Sequence, residues 1–191
     1  MKALEEKILS DGEVLPGGVL KVGSFLNQQI DIKFLMAMGK DIADAFSNLG
    51  VTKVLTVEAS GIAFAVAAAN YLGVPLAFAK KNKTSNVSSE VYSAFVDSYT
   101  HGKTYEIMIP KEYITSKDRV LIVDDFLACG NAMKGLCKII SDAGAEVVGV
   151  SAAIEKGFQG GGDELRSMGI KVYSLAIIDS MENGKIVFRK N

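Results

Sequence analysis

Apolar positions change their period several times along the chain, and the changes outline alternating strands and helices. Residues 32–49 carry Leu35, Met38, Ile42, Ala45 and Leu49 at helical spacing and are closed by Gly50, which predicts a helix. Lys53 to Val57 (KVLTV) predicts a short strand, Glu58-Ala59-Ser60-Gly61 a turn, and Ile62 to Leu72 a small-residue helix ended by Gly73. Val74 to Ala79 reads as a second strand. Strand, helix, strand with short connections implies a parallel sheet. The alternation resumes with Arg119 to Val123 (RVLIV) as a buried strand. A helix follows over Gly130 to Ala143, with Met133, Leu136 and Ile140 on one face and Gly144 at its end. Glu146 to Ile154 predicts a strand, Gly160 to Gly162 an interruption, 163–168 a short helix, and Lys171 to Ile178 a further strand.

Two stretches lack this regularity. Residues 3–9 predict a short helix, and Pro16-Gly17-Gly18 then breaks any regular element. Residues 80–102 are rich in Lys, Ser, Asn and Thr, and a polar stretch of that kind inside a domain is usually functional or mobile. Within and beyond it, 91–96 and 104–109 are predicted to pair as a hairpin. The fold class is α/β, a mostly parallel central sheet flanked by helices, in a single domain spanning 1–191. Ligands of such open sheets sit at the carboxyl ends of strands, which directs attention to the loops after residues 57, 79, 123 and 154.

Composition narrows the chemistry. The chain has 191 residues, 49% hydrophobic and 23% charged, a globular balance suited to one domain. Lys and Arg total 21 against 22 Asp and Glu, for a net charge of −1. That argues against a dedicated nucleic-acid partner, which needs a basic footprint. A single histidine, His101, excludes a multi-histidine metal site within one chain. Two cysteines, Cys129 and Cys137, argue against a disulfide framework and favour a reducing compartment. The opening MKALEEKIL has Glu5 and Glu6 where a signal peptide is apolar, and the longest apolar run, Ile62 to Ala69, is far too short to span a membrane. The expectation is a cytoplasmic protein with no membrane partner.

The most informative segment is VLIVDDFLACGNA, residues 120–132. An apolar strand ends in Asp124 and Asp125, and a helix opens near Gly130. A helix N-terminus offers free N–H groups to a phosphate, and glycine allows close backbone approach. Neighbouring carboxylates accept hydrogen bonds from sugar hydroxyls. Asn131 can donate to a phosphate oxygen, and Cys129 contributes mainly its backbone N–H. A bare pair of acids would read as a solvated strand end; with the strand before and the glycine-capped helix after, the parts fit a phosphorylated ribose.

This segment resembles the phosphoribosyl-pyrophosphate motif of type I phosphoribosyltransferases. Cys129 stands where that pattern usually has a hydroxyl residue, and Ala132 closes the loop. The Ala-Cys-Gly-Asn-Ala loop is similar to that of the bacterial xanthine phosphoribosyltransferase family. So are Leu-Pro-Gly-Gly-Val-Leu-Lys-Val early in the chain, Glu-Ala-Ser-Gly-Ile in the middle and Glu-Lys-Gly-Phe-Gln-Gly-Gly-Gly late. The resemblance implies transfer of a 5-phosphoribosyl group from phosphoribosyl pyrophosphate to N9 of xanthine, with Mg²⁺ held mainly by the substrate, in a homodimer. It implies that Asp124 and Asp125 are catalytic and that Ala128, Cys129, Gly130, Asn131 and Ala132 hold the 5′-phosphate. Glu58, Ala59, Ser60 and Gly61 become the pyrophosphate loop, often with a non-proline cis peptide. Alone, that turn reads as a plain helix start with Ser60 as N-cap.

Lys80, Lys81 and Lys83 enter the polar stretch, and Lys81 is assigned to the pyrophosphate. A cationic flap there would exclude water from the activated ribose, although a lysine run serves solubility equally well. Residues of about 1–31 become a hood over the base, with Leu20 and Asn27 touching xanthine. About 80–109 become a flexible flap and hairpin. Lys156 lies over the purine as a donor to its exocyclic carbonyl, favouring oxopurines over adenine; its bland reading is a surface lysine in a polar loop. His101 reads as surface. Two other functions stay open: a hypoxanthine or guanine phosphoribosyltransferase, and a non-catalytic regulator that senses phosphoribosyl pyrophosphate.

Overall fold

The computed structural model describes residues 1–81, 90–98 and 103–190. Lys83 and His101 lie outside the described residues. The elements in chain order are helix α1 (Lys2–Asp11), strands β1 (Glu13–Leu15) and β2 (Val19–Lys21), helix α2 (Ile32–Phe46), β3 (Lys53–Val57), α3 (Gly61–Leu72), β4 (Leu76–Ala79), β5 (Val91–Ser98), β6 (Lys103–Pro110), β7 (Arg119–Leu127), α4 (Asn131–Asp142), β8 (Glu146–Lys156), α5 (Gly161–Ser167), β9 (Val172–Ser180) and β10 (Val187–Phe188). Six strands form the central sheet in the order β10-β9-β8-β7-β3-β4. All its neighbouring pairs are parallel except β10 on β9. The mostly parallel α/β reading is therefore what the chain adopts.

The strands alternate their side chains between two apolar layers. On one side Leu4 and Ile8 of α1, Leu35, Met38, Ile42 and Phe46 of α2, and Phe64 of α3 cover Val54, Leu121 and Val123. On the other, Leu136, Ile139 and Ile140 of α4 and Leu165 of α5 cover Leu55, Val120, Ile122 and Val150. The β5–β6 hairpin joins this second layer through Ala94, Val96, Ile107 and Ile109. It pairs from Val91 opposite Pro110 to Ser98 opposite Lys103, longer at both ends than its apolar pattern suggested.

Several boundaries depart from expectation for identifiable reasons. The Pro16-Gly17-Gly18 break is the turn of a small hairpin, with Val14 opposite Leu20. β4 begins only at Leu76, because Val74 still donates to Ala69 of α3 at 3.2 Å. β7 does not end before its acids. Its ladder to β8 continues through Asp124 opposite Ala152, Phe126 opposite Ile154 and Leu127 opposite Glu155. On its other side the pairing with β3 stops at Ile122. β7 therefore runs on beyond its last pairing with β3, and its acids follow that position. β8 likewise runs on through Lys156, so Glu155 and Lys156 belong to a strand and not to a polar loop.

Candidate functional site

The turn after β3 fills the space that β3 leaves beside β7. Its Glu58–Ala59 peptide bond is cis. Ser60 does not cap α3 with its side chain; its hydroxyl donates instead to Asp125 Oδ1 at 2.9 Å. Asp125 Oδ2 accepts from Asn27 Nδ2 at 3.2 Å. The turn, the acid pair and the N-terminal segment thus meet on one carboxylate. Gly61 opens α3 where a side chain would run into Asp124 Oδ1 and Thr56 Oγ1. The Thr56 hydroxyl is buried with no hydrogen-bond partner among the described residues. Glu58 reaches the other way, accepting from the backbone N–H of Lys81 at 2.7 Å.

Asp124 and Asp125 are 7% and 6% exposed, well below the usual exposure of aspartates. Burial holds the Asp124 carboxyl well above the ordinary aspartate range, and the neighbouring Asp125 adds to it. The backbone N–H of Asp125 donates to Asp124 Oδ1 at 2.9 Å and opposes that rise, as does the charge of Lys81. Lys81 Nζ lies 5.1 Å from the centre of the Tyr105 ring. Burial, and then the Asp124 charge, push the Tyr105 phenol up.

Past Leu127 the chain turns through Ala128 and Cys129 to Gly130, which precedes α4 in the left-handed region at φ +76°. The first-turn N–H groups of α4 have no intrahelical partner and are placed to receive an anion. Asn131 turns its amide aside, donating to the Asp97 carbonyl of β5 at 3.1 Å. Cys129 is half-buried. The loop rests on α5: Gly161 N donates to the Ala128 carbonyl at 3.1 Å.

Lys156 is half-buried at the end of β8, and burial draws its ammonium below the ordinary lysine value. It donates to the Gly18 carbonyl at 2.9 Å and lies 5.6 Å from the centre of the Phe126 ring. The β1–β2 turn and the end of β8 are thus joined. Leu20 is buried in the apolar layer with Phe25 and Leu26, at the root of the same hairpin.

A family model described as phosphoribosyl transferase domain matches residues 27–180. The chain belongs to the phosphoribosyltransferase family. Within it the chain is similar over nearly its whole length to proteins named xanthine phosphoribosyltransferase. That of Clostridium novyi is 49% identical over 189 residues, covering 99% of this chain and 100% of the relative. That of Brevibacillus brevis is 50% identical over 188 residues, covering 98% and 96%. Among solved structures, the adenine phosphoribosyltransferase of Thermoanaerobacter pseudethanolicus superposes with a TM-score of 0.73 at 24% identity, covering 91% of this chain and 98% of that one. The Giardia lamblia enzyme, complexed with 9-deazaadenine, gives 0.75 at 19% identity over 91% and 96%. At these identities the two structures speak for the fold.

In this phosphoribosyltransferase the acid pair, the Glu58–Gly61 turn, Asn27 and Lys81 are linked by direct contacts. Ala128–Ala132 and Lys156 adjoin them at the ends of β7 and β8. Sequence reasoning passed over Phe126, Tyr105, Gly18 and Thr56. Phe126 had a signal, an aromatic directly after the acids. Gly18 contributes a main-chain carbonyl and so had none.

Proposed function

We propose that the chain transfers the 5-phosphoribosyl group of 5-phospho-α-D-ribosyl 1-diphosphate to N9 of xanthine. The products are xanthosine 5′-monophosphate and diphosphate, a purine-salvage reaction. The observation that carries this reading is the near-full-length identity with the xanthine phosphoribosyltransferases. The convergence of Asn27 and Ser60 on Asp125 supports it.

In this reading the α4 N-terminus and the Ala128–Ala132 loop anchor the 5′-phosphate. Asp124 and Asp125 accept the ribose hydroxyls and lie near the positive charge that develops on the ribose as diphosphate leaves. Burial and the neighbouring Asp125 raise the Asp124 carboxyl well above its ordinary value before substrate arrives. Glu58 to Gly61 line the diphosphate with their backbone, and Lys81 approaches it as a cation. Lys156 exchanges the Gly18 carbonyl for the exocyclic oxygen of the base, and Leu20 and Asn27 close over it. Holding both reactants in line supplies much of the acceleration.

Mg²⁺ suits the hard carboxylate oxygens of this site. In this reading the ion is carried largely by the diphosphate and water. When bound, the ion neutralises charge on the leaving group. No helix among the described residues is long and apolar enough to cross a membrane, and we place the enzyme in the cytoplasm as a homodimer.

The test is steady-state turnover with phosphoribosyl pyrophosphate and Mg²⁺, comparing xanthine, hypoxanthine, guanine and adenine. A strong preference for xanthine is expected. Preference for another purine would overturn the base assignment alone. Tight phosphoribosyl-pyrophosphate binding with no turnover would make the chain a sensor.

A further inference from the structure

Glu155 is 0% exposed, and a carboxylate so buried needs partners. Arg166 of α5 supplies a fork, Nη1 to Oε1 and Nη2 to Oε2, both at 2.8 Å. Ser174 of β9 adds a donor to Oε2 at 2.5 Å. Next to it on β8, Lys156 serves the opposite end of the site through Gly18.

The fork sits directly beneath the start of α5. A side chain at Gly162 would fall on the Glu155 carboxylate and against the Arg166 guanidinium. A side chain at Gly161 would fall on the Ala128 carbonyl and the Gly130 N–H. The backbone of α5 is therefore pressed between the buried ion pair and the loop of residues 128–130. A second tether fixes the same turn. Asp163 accepts from Arg166 at 2.9 Å and from Arg189 at 2.9 Å, and Arg189 Nε donates to Asp179 at 2.9 Å. A buried ion pair is weak evidence for stability, since apolar replacements often serve as well. What this pair adds is a fixed distance between β8 and the phosphate loop.

We infer that Glu155 and Arg166 are positioning residues that set the 128–130 loop for the phosphomonoester of the sugar substrate, acting through Gly162 and Gly161. The inference rests on the phosphoribosyl-transfer reading. Neither residue touches substrate.

The experiment compares the wild type with Arg166→Lys, Ser174→Ala and Gly161→Ala. Turnover, both Michaelis constants and the melting temperature are measured for each, together with calorimetric binding of phosphoribosyl pyrophosphate without base. Lysine keeps the charge and loses the fork. It is expected to raise the phosphoribosyl-pyrophosphate KM roughly tenfold, with the xanthine KM within about twofold. Ser174→Ala should shift the same constant in the same direction by less. Gly161→Ala leaves the ion pair intact and blocks its seat, so it decides the matter if the lysine variant does not fold. A folded Arg166→Lys or Gly161→Ala protein with unchanged phosphoribosyl-pyrophosphate affinity overturns the inference. So does a parallel loss in both substrates with a falling melting temperature, the mark of general loosening. Wild-type turnover tests the functional reading separately; if it is absent, the calorimetric constants still decide the role of the pair.

Discussion

Asn27 and Asp125, 98 residues apart in sequence, are joined by a hydrogen bond of 3.2 Å from amide to carboxylate. The other oxygen of that carboxylate is held by Ser60, so the segment proposed to cover the base and the turn proposed to hold diphosphate share one acceptor. Asn27→Ala removes one of two side-chain donors to Asp125 and is expected to raise the xanthine KM by roughly tenfold, the scale of one hydrogen bond to a charged group. Asn27→Asp puts a second carboxylate against the first. Like charges favour the protonated form, so the acid limb of the rate profile should move to higher pH. Steady-state kinetics from about pH 5 to 9 check both, and an unmoved acid limb would count against this contact.

Asp124 yields a prediction about stability. Its proton affinity is raised in the folded chain by burial and by Asp125. A carboxyl raised on folding stabilises most below its unfolded value, about pH 4, and that contribution is lost as pH rises through the folded value. Asp124→Asn removes the buried charge. Its melting temperature should match the wild type near pH 4 and exceed it increasingly toward neutrality, by about 2–4 °C for each kcal/mol recovered. Turnover should fall roughly 10²-fold. Thermal melts across that range, alongside the assay, test the pairing of greater stability with lost activity.

Gly61→Ala introduces a methyl group where Asp124 Oδ1 and Thr56 Oγ1 already sit. Overpacking of that kind costs about 1–3 kcal/mol. Adding Thr56→Ala makes room on one side only. The double variant should regain stability and not turnover, because Asp124 stays displaced. Denaturant unfolding of the four proteins measures the coupling.

Lys156→Met keeps an unbranched stem on Phe126 and removes the donor. The expected result is a loss of about 10–100-fold in kcat/KM for xanthine, an unchanged phosphoribosyl-pyrophosphate KM, and no loss of melting temperature, since a half-buried charge is removed. A variant with wild-type xanthine kinetics would exclude Lys156 from base recognition.

Where local chemistry defines the unit, the sequence was readable. The turn Glu58–Gly61, the acids and the Gly130 loop each lie at a change from strand to helix period, and their placement follows from that change. The β1–β2 hairpin was not readable, because strands such as Glu13–Leu15 are too short to display alternation. The length of β7 was hidden by its acids: charge suggests a strand end, whereas the ladder depends on backbone groups. Glu155 misled for the same reason. A glutamate beside a lysine looks solvated, and its fork partner Arg166 stands 11 residues away on another element. Burial of a charge is a property of the pair, and no single position announces it.

The run of β7 beyond its last pairing with β3 bears on how such a protein diversifies. The notch it creates is cut into main chain, by one strand pairing further than its neighbour. Substitutions scarcely alter its depth. The hairpin of residues 13–21, by contrast, lies outside the central sheet and meets the end of β8 through the Lys156–Gly18 contact. The hairpin can therefore be exchanged without recutting the strand ends, which in the reading proposed above lets the base change while the sugar and phosphate contacts persist.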